Sequence, residues 1–319
     1  MNSVTLKACL YVVAVATLTS CGDPLVAPEL ITNTRVLAAR NESVGDANRA
    51  WVMPAEAARV RWLVASPIGP TPLAWAFSAC VAESVSRGLP ICTAPPFARF
   101  ANSGISTAEP HFDFVMPDEV NLGSATQVAI AAAFCASGTP ILDASGVEFT
   151  QSTCPDVTER PLFATVNVRA ALGNAMNSNP DFGRVTIQFD DVEWPVSDEA
   201  QASSADCSDP TLTLPRIAKG DASHTLGLAI PNDISESLPQ ITSHSAARET
   251  LNLAHFTTAG DLERAYSDVN LAIHPAPVRV SWKTPAAVAA NGELVRFYFV
   301  LRDGRGGADY TQRAVCVMP

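Results

Sequence analysis

The sequence predicts an all-β chain built as two successive sandwiches, and three features carry that prediction. Apolar residues recur with a period of two, so each run turns one face toward a core. Clusters such as Pro67-Ile68-Gly69-Pro70 and Pro95-Pro96 punctuate the runs. A helical period is nowhere sustained, which leaves sheets to bury the apolar faces.

The first clear strand lies at residues 58–64, where Ala58, Val60, Trp62 and Val64 share one face and Arg59 and Arg61 take the other. That pattern predicts a half-buried antiparallel strand. It returns at Val128, Ile130, Ala132 and Phe134, and at Ala164, Val166, Val168 and Ala170 opposite Thr165, Asn167 and Arg169. Between them, Leu73-Ala74-Trp75-Ala76-Phe77 reads as strand C of an immunoglobulin-like sandwich, with Trp75 toward the core. Cys80 has the opposite parity from Trp75, so a local bridge to Cys92 fits better than the inter-sheet bridge of antibody domains.

Residues 173–180 lack apolar periodicity and are rich in turn formers, which places a domain boundary there. Module 1 then occupies residues 33–175 and module 2 residues 183–319. The second module opens with Val185, Ile187 and Phe189 alternating against Thr186 and Gln188. Residues 197–248 read as an irregular polar insertion. Strands resume at 251–257 and at Val278, Val280 and Trp282. In the terminal hairpin, Val295, Phe297, Phe299 and Leu301 form an apolar face with Arg296 and Arg302 outward. Asp303-Gly304-Arg305-Gly306-Gly307 supplies the turn, and Tyr310, Ala314 and Cys316 return along the partner strand.

Ahead of the modules, Lys7 precedes an apolar run at residues 8–18 that is too short to span a bilayer and ends in small residues. Leu18-Thr19-Ser20-Cys21 resembles a bacterial lipoprotein signal with its lipidated cysteine. Residues 1–20 then form the signal peptide, Cys21 carries the lipid, and residues 21–32 form a short tether. Each buried acyl methylene adds about 0.8 kcal/mol of membrane affinity, so several chains hold the protein durably. No aspartate directly follows Cys21, and by resemblance to the sorting rule of enteric bacteria this points to the outer membrane.

Removing residues 1–20 from the 319 leaves 299, enough for two ordinary domains. No later apolar run approaches the length of a membrane span. Loss of Lys7 takes the net charge from −11 to −12, which argues against nucleic acid as a partner. Of the eight cysteines, Cys9 leaves with the signal and Cys21 is assigned to lipid. The remaining six, outside the cytoplasm, predict disulfides, and spacing favours Cys80 with Cys92, Cys135 with Cys154 and Cys207 with Cys316. No Cys-x-x-Cys or cysteine–histidine spacing suits a metal, so neither metal nor cofactor is expected.

Taken together, Thr34-Arg35-Val36-Leu37-Ala38-Ala39-Arg40, the tryptophan-then-cysteine segment ending at Cys80, Phe256-Thr257-Thr258-Ala259-Gly260, Trp282 with Pro285, and Val300 to Gly307 resemble uncharacterised myxobacterial lipoproteins with tandem immunoglobulin-like domains. The resemblance spans most of the mature chain. It implies location and fold, and it supplies no catalytic residue.

The nucleophile elbow, the zinc-protease helix motif and the phosphate-binding loop are absent from the sequence. His111, His224, His244, His255 and His274 share no short spacing, and His255 lies on the face of Leu251 and Leu253, which favours a buried structural role. The carboxylate groups Asp190-Asp191 with Glu193, and Asp303 with Asp309, are weighed as calcium ligands against turn geometry, and turn geometry is preferred. Loops at 82–110 and 139–160, each beside a predicted disulfide, are the expected interaction surfaces. The reading is an envelope-anchored structural or binding module for protein or glycan, with no catalytic residue; the alternative is a periplasmic or surface hydrolase with an unrecognised site.

Overall fold

The computed structural model describes residues 27–83, 90–102, 104–143, 151–173, 175–196, 207–208, 213–220, 222–237, 248–269 and 277–319. Strand accounts for 52% and helix for 4%, so the fold is all-β. The first ten strands are β1 (Arg35–Ser43), β2 (Ala57–Ala65), β3 (Ala74–Glu83), β4 (Ile91–Cys92), β5 (Ala98–Ala101), β6 (His111–Val115), β7 (Gln127–Cys135), β8 (Ile141–Asp143), β9 (Gln151–Thr153) and β10 (Leu162–Arg169). They continue as β11 (Thr186–Phe189), β12 (Val192–Glu193), β13 (Arg216–Ala218), β14 (Ser223–Ala229), β15 (Leu251–Thr257), β16 (Asp261–Leu262), β17 (Tyr266–Val269), β18 (Val278–Lys283), β19 (Glu293–Arg302) and β20 (Ala308–Met318).

Sheet β1-β2-β6 faces sheet β10-β7-β3, whose far edge carries β4 and β5. Trp62, Phe77, Phe112 and Phe134 fill the space between them, with Trp62 and Phe77 stacked at 6.1 Å. Sheet β12-β11-β14-β18-β16 faces β13-β20-β19-β15-β17 around Trp194, Trp282, Phe297 and Phe299. Each buried ring contributes roughly 1.5–3 kcal/mol by leaving water.

The two sandwiches meet through a third apolar layer. Leu37, Ala38 and Ala65 from β1 and β2 pack on Ala254, Phe256, Tyr298 and Val300 from β15 and β19. In β2, β15 and β19 these residues have the opposite parity from the core residues of the same strand, and in β1 an irregularity between Val36 and Ala38 brings both Leu37 and Ala38 to this layer, so each middle sheet is apolar on both faces. Among the described residues four sheets are therefore stacked with three apolar layers, and β8 and β9 pair as a separate two-stranded sheet.

That stacking alters several sequence expectations. Arg296, predicted to face outward, is 1% exposed because its face of β19 lies inside the structure. Gly69 (φ +100°) comes so close to its guanidinium that a Cβ there would sit 2.7 Å from Arg296 Cζ. Arg302 is half-buried and donates to the Leu37 carbonyl at 2.7 Å. β7, predicted to be half-buried, is buried along both faces. Its second face is small, with Ala129 and Ala131 packing on Cys80, Ala82 and Cys92, so the disulfide itself lies against it.

The expected irregular insertion at 197–248 contains β14, which bonds both β11 and β18 near the middle of its sheet. Leu226 and Leu228 are fully buried there, while the intervening Gly227 and the preceding His224 blur the alternation in sequence. The predicted tether at 21–32 ends sooner than expected. Thr257 N–H donates to Glu29 O at 2.9 Å and Ile31 N–H to Thr257 O at 2.8 Å, which fixes the chain to β15.

Candidate binding surfaces

Among the predicted site residues, the six cysteines form three pairs at disulfide distance. Cys80–Cys92, Cys135–Cys154 and Cys207–Cys316 have Cα separations of 5.7, 5.7 and 5.6 Å. Cys21, His244 and His274 lie outside the described residues. Ligand atoms of Cys135, Cys154 and Glu159 fall within 4.8 Å of one another. The two sulfurs are joined in a disulfide, and Glu159 accepts the Ala136 and Ser137 N–H groups at 2.5 and 2.9 Å, so this trio is a braced loop.

The carboxylate clusters are occupied by the fold. Asp190 and Asp191 have φ of 51° and 64° and form the tight turn between β11 and β12. Asp190 accepts from His224 Nδ1 at 2.7 Å and from the Thr225 N–H at 2.8 Å, and Asp191 pairs with Arg279 at 2.8 Å. Glu193 sits on the exposed strand β12. Asp303 is buried and braces its own hairpin by accepting the Arg305 and Gly307 N–H groups at 2.7 and 2.9 Å. A Cβ at Gly307 would meet Ser178 O at 2.8 Å, so only glycine lets the hairpin tip approach the connecting segment this closely. Asn177 donates to Asp303 Oδ2 at 2.6 Å, and Asp309 accepts the Phe182 N–H at 2.8 Å. Asp303 thus ties the 173–180 segment to the second sandwich, and Asp309 fixes Phe182 just after it.

The histidines divide by burial. His111 is exposed on β6, and His224 stacks on Phe189 at 5.1 Å. His255 is fully buried against Phe299, and desolvation together with the charge of Arg264 pushes its pKa down to about 3. A base that weak is unsuited to proton transfer near neutrality.

The loops at 82–110 and 139–160 meet where Thr139 Oγ1 donates to Asn102 O at 2.8 Å. They carry the exposed apolar residues Ile91, Phe97, Phe100 and Ile141, and Phe100 stacks on core residue Phe77 at 6.4 Å.

Sequence reasoning missed the junction between the sandwiches. A ring of polar contacts leaves β20 at Tyr310, whose hydroxyl donates to Glu109, and returns to β20 at Asp309. In between, Arg61 links Glu109 at 3.5 Å to Glu42 at 2.9 Å, and Arg40 links Glu42 at 3.5 Å to Asp309. On the other side, Trp51 has the guanidiniums of Arg169 and Arg305 over its ring at 5.4 and 5.1 Å. The alternating charges of β1 and β2 read as a solvated face, and nothing local marks them as an interface. Two clefts flank this junction. One, of about 360 Å³, lies beside Tyr298 and Tyr310; the other, of about 740 Å³, lies between β1 and β10. No family model matches the chain, and no curated protein matches it significantly.

Proposed function

We propose that the chain is an outer-membrane lipoprotein, anchored in the cell envelope through Cys21, whose sandwiches form a rigid structural or binding module. The observation that carries this reading is Leu18-Thr19-Ser20-Cys21 after a short apolar run. Three cysteine pairs at disulfide distance fit an oxidising compartment. Among the described residues no helix is long and apolar enough to cross a membrane, so the lipid is the attachment this reading needs.

The sheet orders support immunoglobulin-like modules of the kind seen in the lipoproteins the sequence resembles. Order β11-β14-β18-β16 opposite β17-β15-β19-β20 follows the A-B-E-D and C-F-G arrangement, and β1-β2-β6 opposite β3-β7-β10 follows a shorter form of it. From Cys21 to Glu29 the backbone reaches at most roughly 30 Å. A lipid on Cys21 would therefore hold the β15 side of the second sandwich close to the bilayer and leave the loops at 82–110 and 139–160 as binding surfaces for an envelope protein or glycan.

Cys21→Ala is expected to move the protein from the membrane fraction to the soluble fraction and to abolish labelling by radioactive palmitate. Unchanged labelling in that variant would remove the lipoprotein reading. Affinity capture from native envelope, with the lipidated protein as bait, tests the binding role through a specific partner.

A further inference from the structure

The larger cleft is bounded by two sheet edges that do not pair with each other. β10 bonds β7 along its whole length, and β1 bonds β2. They are joined at one end, where Asn41 Nδ2 donates to Asn167 O at 3.1 Å. Asn167 and Arg169 turn their carbonyls away from β7, since Arg169 O accepts the Val52 N–H at 3.1 Å. Backbone groups alternate along a strand, so Phe163 and Thr165 aim their N–H and C=O into the cleft. Among the described residues nothing bonds these groups.

The floor is apolar. Val36, Ala164 and Val166 are partly buried against the first core, and Trp62 lies beneath them. Two arginines line the same space, Arg302 and Arg35, and the Arg35 guanidinium lies over the Phe256 ring at 5.1 Å. Arg302 donates to Leu37 O and Arg35 to Pro28 O, both at 2.7 Å, and neither has a carboxylate within ion-pair distance among the described residues. Glu29 acts on Arg35 only from farther away. Burial lowers the pKa of both arginines, so each gains from an incoming anion.

We propose that this cleft binds an extended peptide strand that adds to the free edge of β10, sets alternate apolar side chains on Val36, Ala164 and Val166, and presents a carboxylate to Arg35 and Arg302. This rests on the binding-module reading and names the partner class. Only a polypeptide repeats N–H and C=O groups at the spacing of a strand edge, which a glycan or lipid does not. A volume of about 740 Å³ lies within the usual range for ligand sites, roughly 300–1,000 Å³.

The test uses the mature lipidated protein in detergent and a fluorescein-labelled synthetic peptide of alternating valine and threonine ending in glutamate. Fluorescence anisotropy should show binding that weakens about tenfold or more when the peptide ends in lysine, and likewise when alternate peptide nitrogens are methylated. Arg302→Gln should reproduce the first loss and Thr165→Pro the second, with circular dichroism confirming that both variants fold. The methylated peptide keeps the edge test valid even if Thr165→Pro unfolds. Equal affinity for all the peptides, or none for any, overturns the proposal. An envelope partner captured equally by the unaltered protein and by Arg302→Gln overturns the cleft but leaves the binding module standing; a partner captured by neither removes that module reading itself. A dimer abolished by Thr165→Pro, without peptide binding, would overturn the choice of occupant.

Discussion

His255 lies on β15 with its Nε2 3.0 Å from the Ser267 hydroxyl and its ring against Phe299. Its folded pKa of about 3 is below the ordinary 6.5, so between those values the unfolded chain binds more protons than the folded one. The histidine's contribution to stability is full above about pH 6.5 and is lost as pH falls toward 3. The slope approaches about 1.4 kcal/mol per pH unit. Burial raises the pKa of Asp303 and Glu249, and their contributions run the other way, present at low pH and lost as pH rises. The difference between the native protein and His255→Leu, taken from urea unfolding at several pH values, isolates the histidine; that difference should narrow as pH falls through this window. On β19, Phe299→Ala should cost about 3–5 kcal/mol by leaving a cavity in the second core. Arg296→Ala should cost about 2 kcal/mol or more, because the side chain is packed inside. Denaturant midpoints of the two variants check both values, and a neutral Arg296→Ala would put that face of β19 back in water.

The strands with clean alternation were legible because one neighbour on each side decides their burial. β2 and β11 show this directly, with Val60 and Trp62, and Ile187 and Phe189, inward. β6 was equally readable in principle, since Phe112 and Phe114 alternate with exposed neighbours, but its five residues are a short signal. β14 was hidden by Gly227 and His224, and only bonding to β11 and β18 makes it a central strand. Disulfides staple elements whose own pairing is brief: Cys207–Cys316 sits beside the three-residue parallel pairing of β13 with β20. Its sequence separation of 109 residues gives about 4.7 kcal/mol in the chain-entropy account, against roughly 3 kcal/mol for the two short loops. The Cys207→Ser/Cys316→Ser protein should therefore unfold at lower denaturant than Cys80→Ser/Cys92→Ser. Non-reducing peptide mapping should return the three pairs, and a crossed pairing would undo this ranking.

Across the whole molecule, the middle apolar layer and the ring through Arg40, Glu42, Arg61 and Glu109 join the two sandwiches over a broad front. Buried contacts of that kind make each sandwich's unfolding expose its neighbour's surface. Calorimetry should therefore show one cooperative transition. Tyr298→Ala, which removes a ring from the middle layer, should lower the stability of both halves or split the transition in two. Two well-separated transitions in the unaltered protein would mean that the layer contributes little.

Sequence by itself determined the all-β class, the inward faces of β2, β10, β11 and β19, and the short spacing that brings Cys80 to Cys92 and Cys135 to Cys154. These depend on period, parity and chain proximity, which are local. Tertiary structure decided what the second face of each strand meets. Arg296 and the alternating charges of β1 and β2 look like solvent-facing residues in any local window, and they become interface only when one sheet is laid on another. The open edge of β10 is likewise invisible in sequence, because a strand carries the same backbone groups whether or not a neighbour takes them.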